Sequence, residues 1–397
     1  MTGKKRSLLL LSLLALGGAA GGCRRAGHAA AVPEPAPVSA IAPLPPAVQR
    51  GVSFVHSWQD GGTRGYGSPT SRASLQELRA LGADWISVMP FGFVSALDAE
   101  QVQFAGDQEA GPSSHRPQAG ETNARVRRQI ADAHEQGLKV LLKPHLWVGQ
   151  GDWCGEINPS TPERAARFFA SYQSFALHYA RLAQSGGADL LAIGVELCAL
   201  TAHDPERWRK LIEQVRQVYA GPLVYAANWD EVARVPFWDA LDYIGVQFYA
   251  PLADDLEASD EVMRERLSRE LDGLGELAQR AHKQVLFTEV GYKSIRGTAV
   301  RPHLWPEQLR GSTVEVSLPA QAQAYRVFFA GVRSRPWLAG VYIWKWFSDP
   351  TTTEEDAGGF SPRGKPAEAV LRAAYRPADP LPAVKRAADE GRASPAH

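Results

Sequence analysis

Two glutamates stand where carboxylates seldom do, each closing an apolar run: Glu196 follows LLAIGV and Glu289 follows VLFT. Neither run contains a basic residue. Burial disfavours the charged form of such a group, so two neighbouring carboxyls can differ in protonation. That difference is what general-acid and nucleophilic catalysis require. For either Glu alone, helix capping or a surface ion pair is the competing reading. Two together, in a chain whose other run ends supply aromatics and amides, favour catalysis. Those ends carry His56, Trp58, Phe91, His145, Trp147, Asn228, Trp229, Gln247, Tyr249, Tyr292, Trp344 and Trp346. Strand alternation puts Glu196 in register with Leu190, Ala192 and Gly194, and Glu289 with Val285 and Phe287. Both are therefore expected to point into one cavity.

Eight apolar runs must position these residues: GVSFVHSW (51–58), ADWISVMPF (83–91), LKVLLKPHLWV (138–148), DLLAIGVEL (189–197), PLVYAANW (222–229), DYIGVQFYAPL (242–252), QVLFTEVGY (284–292) and LAGVYIWKWF (338–347). Segments with apolar residues at i, i+3 and i+4 separate most of them, for example SRASLQELRALG and PERAARFFASYQSFALHYARLAQSGG. The fifth and sixth runs are joined by the shorter DEVARVPFWDAL. Near-continuous hydrophobic strands alternating with amphipathic helices predict a parallel sheet covered by helices. The expected fold is α/β, a (β/α)8 TIM barrel forming a single catalytic domain over residues 49–376. An open doubly wound sheet would carry a glycine-rich phosphate turn after its first strand, and GGTRGYG (61–67) does not have that form. In a barrel the reactive groups sit at the C-terminal ends of the strands, where both glutamates fall.

The chain has 397 residues, 45% of them hydrophobic, enough for one large core. Lys+Arg and Asp+Glu both number 43, and without a basic stripe no nucleic-acid partner is expected. Eleven tryptophans suit both sugar stacking and ordinary cores. Residues 1–23 read as a signal peptide: basic MTGKKR, apolar SLLLLSLLAL, then AGGC. AGGC resembles a bacterial lipobox with Cys23 as the lipidated residue, although Ala20 replaces the usual Leu. The expected location is the bacterial cell envelope, periplasmic or cell-surface, touching the membrane only through that anchor; plain secretion is the alternative. Residues 24–48 read as a Pro/Ala-rich linker and residues 377–397 as a disordered tail. Cys154 and Cys198 then remain, and a disulfide or two buried thiols are both open. The acidic stretch DPTTTEEDAG (349–358) lacks EF-hand spacing and reads as a solvated loop.

The stretches GYGSP (65–69), KPHLWV (143–148), WCGEINPS (153–160), IGVEL (193–197), YAANWDE (225–231), DYIGVQFY (242–249), FTEVGY (287–292), IWKWF (343–347) and FSPRGKPAEAVL (360–371) carry a further signal. Together they make the chain resemble family 113 of the glycoside hydrolases, β-mannanases within the clan of retaining (β/α)8-barrel glycosidases. The resemblance implies Glu196 as acid/base and Glu289 as nucleophile, with a polysaccharide or oligosaccharide substrate, β-mannan first. It requires no metal and no cofactor, and a monomer is expected. Many clan members place Asn just before the acid/base; here Val195 stands there, and Asn228 is the candidate for the missing contact to the sugar 2-hydroxyl. Tyr249 is expected to hydrogen-bond Glu289. Trp344 is expected as the sugar floor with Trp346 on the same side, and Trp58, His145, Trp147, Trp153 and Gln247 as further substrate-binding residues. Lys143 is expected to pair with Glu156. A xylan-, glucan- or cell-wall-directed glycosidase, or a non-catalytic glycan-binding surface lipoprotein, are the alternatives. Either glutamate buried against a cation, or turned outward from the cavity, would mark a structural role, remove the hydrolysis and leave only an exported barrel.

Overall fold

The computed structural model describes residues 41–104, 121–149, 151–304, 308 and 314–376. The signal peptide with Cys23, most of the linker and the C-terminal tail lie outside the described residues. Eight parallel strands close a barrel: β1 (Gln49–Val55), β2 (Trp85–Val88), β4 (Lys139–Leu142), β6 (Leu190–Val195), β7 (Leu223–Asn228), β8 (Tyr243–Phe248), β9 (Gln284–Val290) and β10 (Leu338–Phe347). β10 pairs with β1 to complete the ring. The third apolar run contains two strands rather than one, and a further strand opens at the last residue of the second. After Pro90 and Pro144, β3 (Phe91–Val94) and β5 (His145–Val148) form a separate two-stranded parallel sheet. Proline lacks the N–H that would continue the ladder, so each run breaks there.

The helices are α1 (Pro69–Leu81), α2 (Asn123–Glu135), α3 (Pro162–Gly186), α4 (Cys198–His203), α5 (Pro205–Val218), α6 (Asp260–Ala281), α7 (Leu318–Val332) and α8 (Pro366–Tyr375). Their ends are written in the sequence. Ser68 and Thr161 cap α1 and α3 ahead of a proline, and Gly82 and Gly187 end them at φ 106° and 76°. DEVARVPFWDAL forms two 3-10 turns, Val232–Arg234 and Trp238–Ala240.

Two cores result. Leu141, Leu190, Ala192, Val224, Leu286, Ala339 and Tyr342 fill the barrel interior. A larger cluster lies between strands and helices, where Trp208 on α5 packs against Phe169, Tyr172, Tyr225 and Phe237. The last residues assigned to the linker belong to this larger core: Leu44 and Val48 are buried, and Leu44 donates its N–H to the Ala374 carbonyl. Both are apolar residues in a Pro/Ala stretch, and burying them outweighs the extended tendency of their neighbours. Among the described residues no helix is long and apolar enough to cross a membrane.

Candidate active site

The strand ends do not continue the alternation of the strand bodies. In β9, Phe287 faces the helices against Phe248, Phe328 and Trp337, so strict alternation from Phe287 would send Glu289 outward too. The ladder with β8 instead runs Val246↔Phe287, then Gln247↔Glu289, leaving Thr288 as an extra residue. That bulge turns Glu289 inward. In β6 the ladder skips from Ala192↔Val224 to Val195↔Ala226, another extra residue. Glu196 then follows at φ 51°, a left-handed backbone that is uncommon outside glycine, with its N–H on the Ala226 carbonyl. The expected registers with Val285 and Phe287, and with Gly194, are thus corrected, while both carboxylates still reach the mouth. β10 has a third irregularity: Val52↔Ile343 is followed by Phe54↔Trp346. Trp344, two residues after the inward-facing Tyr342, faces the mouth beside Met89 and Phe360. Trp346 belongs to the outer core with Arg363 over its ring, so it is not a wall of the cavity.

Glu289 is 4% exposed and its two oxygens have separate partners. Tyr249 donates its hydroxyl to Oε2 at 2.7 Å, as expected. Lys143, fully buried at the end of β4, donates to Oε1 and, at 3.1 Å, to Gln247 Oε1. Lys143 does not pair with Glu156, which is exposed. It is also a cation buried against a glutamate, the arrangement expected to mark a structural role, and that expectation is corrected too. A nucleophilic carboxylate has to be ionised, a cation favours that form, and a carboxylate has about four lone-pair sites, so two hydrogen bonds leave capacity for reaction.

Glu196 is half-buried and has different surroundings. Burial, and then the negative charge of Glu289, push its carboxyl up to about 7. Trp153 donates Nε1–H to Glu196 Oε2 at 2.8 Å, and this bond and the nearby Gln247 amide both favour the ionised form. Donor atoms of His145, Cys154 and Glu196 lie within 4.8 Å of one another. Burial, and then Lys143, lower His145 to about 4, so it is neutral at pH 7. Burial raises the Cys154 thiol well above its ordinary value. Cys154 and Cys198 are both free, which settles the disulfide question against a bridge.

The other candidate residues divide into wall and support. Trp147 and Trp153 are exposed, at 51% and 40%, offering faces that a sugar ring can cover. Trp58 is half-buried with its ring against His56. Asn228 is half-buried and donates its amide to Asp230 at 2.8 Å. Gln247 is 1% exposed and lies among Glu196, Lys143 and the β8 backbone, so it supports the carboxylates instead of lining the cavity.

Two supports were not legible as such in the sequence. The acidic stretch 349–358 is largely exposed, as expected, but three of its carboxylates are tied to other segments. Glu354 accepts from the Ser57 hydroxyl and the Trp58 and Gln59 N–H groups, Asp349 pairs with Arg64, and Glu355 pairs with Lys345. Its partners come from distant parts of the chain, so the local charge run alone suggested solvation. Behind Glu196, buried Glu231 accepts from Tyr225, Thr201, Cys198 and the Asn228 N–H, while Tyr225 accepts the Leu197 N–H. Its presence in the YAANWDE stretch was the available signal.

A glycoside hydrolase family 113 β-mannanase from Alicyclobacillus acidocaldarius, solved in complex with ManMIm, superposes with a TM-score of 0.70 at 27% identity, covering 83% of this chain and 97% of that one. A second solved family 113 β-1,4-mannanase gives 0.67 at 25% identity, covering 84% and 98%. A Faecalibacterium prausnitzii β-glucuronidase, 17% identical over 82% of this chain and 48% of its own, shares the fold with a TM-score of 0.52. A search of curated proteins finds no significant match. The model of Glycoside Hydrolase Family 113 matches residues 56–365, most of the chain. On that match the chain belongs to glycoside hydrolase family 113.

Proposed function

We propose that the protein is an exported β-mannanase that works by retaining double displacement. Glu289 attacks the anomeric carbon while Glu196 gives its proton to the departing glycosidic oxygen. Glu196 then takes a proton from water as that water displaces Glu289 from the sugar. The observation that carries this assignment is the contrast between the two carboxylates. Glu289 is held by a buried ammonium and a tyrosine hydroxyl, whereas burial and Glu289 push Glu196 up to about 7. One is suited to remain an anion and the other to deliver a proton near neutral pH. Trp344 serves as the floor for the sugar at the cleavage point, and Trp153 and Trp147 extend the surface on the side of Glu196, where the leaving portion of the chain lies. The related solved structures named as β-mannanases make mannan the first substrate.

The deciding experiment is anomeric product analysis by NMR on manno-, xylo- and gluco-oligosaccharides, run beside Glu289→Gln and Glu196→Gln. Retained configuration, preference for manno-oligosaccharides, and a loss of at least about 1000-fold in Glu289→Gln are expected. Equal sugar release by wild type and Glu289→Gln would remove the assignment; preference for xylo- or gluco-substrates would keep the mechanism and change the sugar. Export and anchoring through Cys23 are tested by fractionation and lipid labelling, with Cys23→Ala expected to abolish the label. Gel filtration should give a monomer.

A further inference from the structure

We propose that Lys143 is a positioning residue for the hydrolysis: its buried ammonium holds Glu289 and the Gln247 amide in place beside Glu196. The inference rests on the assignment of Glu289 and Glu196 given above. Its geometric basis is a pair of hydrogen bonds from one buried ammonium: Lys143 Nζ donates to Glu289 Oε1 and to Gln247 Oε1, and the Gln247 amide favours the ionised form of Glu196. All three Lys143 protons are available for acceptors, whereas Gln247 offers one acceptor and one donor end, which orients the amide. Lys143 and Gln247 are 0% and 1% exposed, so neither touches a sugar in the cavity and both act through the carboxylates.

The charge balance around Glu196 shows why the lysine matters. The titratable groups facing it are Glu289, Lys143, His145, Cys154, Tyr249 and Cys198. Near neutral pH, His145 is lowered to about 4 and uncharged, while Tyr249, Cys154 and Cys198 are all raised and uncharged. Charge therefore resides on Glu289, which raises the Glu196 carboxyl, and on Lys143, which lowers it.

The test compares pH profiles of kcat/KM for wild type, Lys143→Met, Lys143→Arg and Gln247→Met, with Glu289→Gln alongside. Lys143→Met preserves the aliphatic stem and removes the charge. Its kcat should fall by roughly 10- to 100-fold, the scale of a lost charge-assisted hydrogen bond, with KM changed by less than about threefold. Its basic limb should move to higher pH because the lowering influence on Glu196 is gone, and Lys143→Arg should recover part of both changes. Removing one partner of a buried pair can prevent folding. In that event Gln247→Met carries the test, with the same upward movement of the limb expected, since the amide also lowers Glu196. An unmoved basic limb in the folded variant overturns the proposal, whatever happens to kcat. If Glu289→Gln is inactive while that limb stays fixed, the positioning role fails and the assignment of Glu289 stands. If Glu289→Gln keeps its activity, the assignment itself falls.

Discussion

Trp153→Phe isolates one force on the acid/base carboxyl. Trp153 Nε1–H donates to Glu196 Oε2 at 2.8 Å and so favours the ionised form. Glu196 must be protonated to act as an acid, so kcat/KM should decline as pH rises through about 7 in the wild type. Phenylalanine keeps an aromatic face for the substrate and removes the donor. A hydrogen bond to a charged acceptor contributes about 1.5–3 kcal/mol when buried, and water replaces much of it at an exposed side chain, leaving about 1 kcal/mol. At 1.36 kcal/mol per pKa unit, the basic limb should move upward by about 0.7. The assay is the pH dependence of kcat/KM on a manno-oligosaccharide, which reports the free enzyme. Because the smaller ring also admits water, which would lower the same carboxyl, the direction of movement is decisive. A limb that stays within about 0.2 of wild type, or moves down, would refute the claim that this N–H stabilises the Glu196 anion.

Three other outcomes follow from contacts elsewhere. Glu354→Gln weakens the clamp on the Ser57 hydroxyl and the Trp58 and Gln59 N–H groups, so KM for long oligosaccharides should rise by about 3- to 10-fold with kcat little changed; an unchanged KM would remove Trp58 from the binding surface. Gly245→Ala places a methyl 2.2 Å from the Tyr225 carbonyl oxygen and 2.6 Å from the Val224 side chain, and should destabilise the fold by about 1–3 kcal/mol, read as a lower Tm; wild-type Tm would contradict the packing described. Cys154 and Cys198 are free, so alkylation in denaturant without reductant should label both, and mass spectrometry showing a linked pair would overturn that.

The sequence by itself determined the barrel and singled out the two glutamates that close its fourth and seventh apolar runs. Eight apolar runs separated by amphipathic helices admit few architectures, and helix ends at Ser68, Gly82, Thr161 and Gly187 depend on neighbours only a few residues away. The tertiary structure decided what surrounds those carboxylates and how they are aimed. Lys143 meets Glu289 across 146 positions, and Glu354 meets Ser57 across 297, pairings that no local pattern encodes. The bulges at Thr288 and before Trp346 reverse the face of the residues after them, so alternation read from those strand bodies failed at their ends, whereas in β6 the extra residue is followed by the left-handed Glu196, which still reaches the mouth. A period of two carries no memory of an inserted residue, and the insertion becomes visible only when the neighbouring strand sets the register.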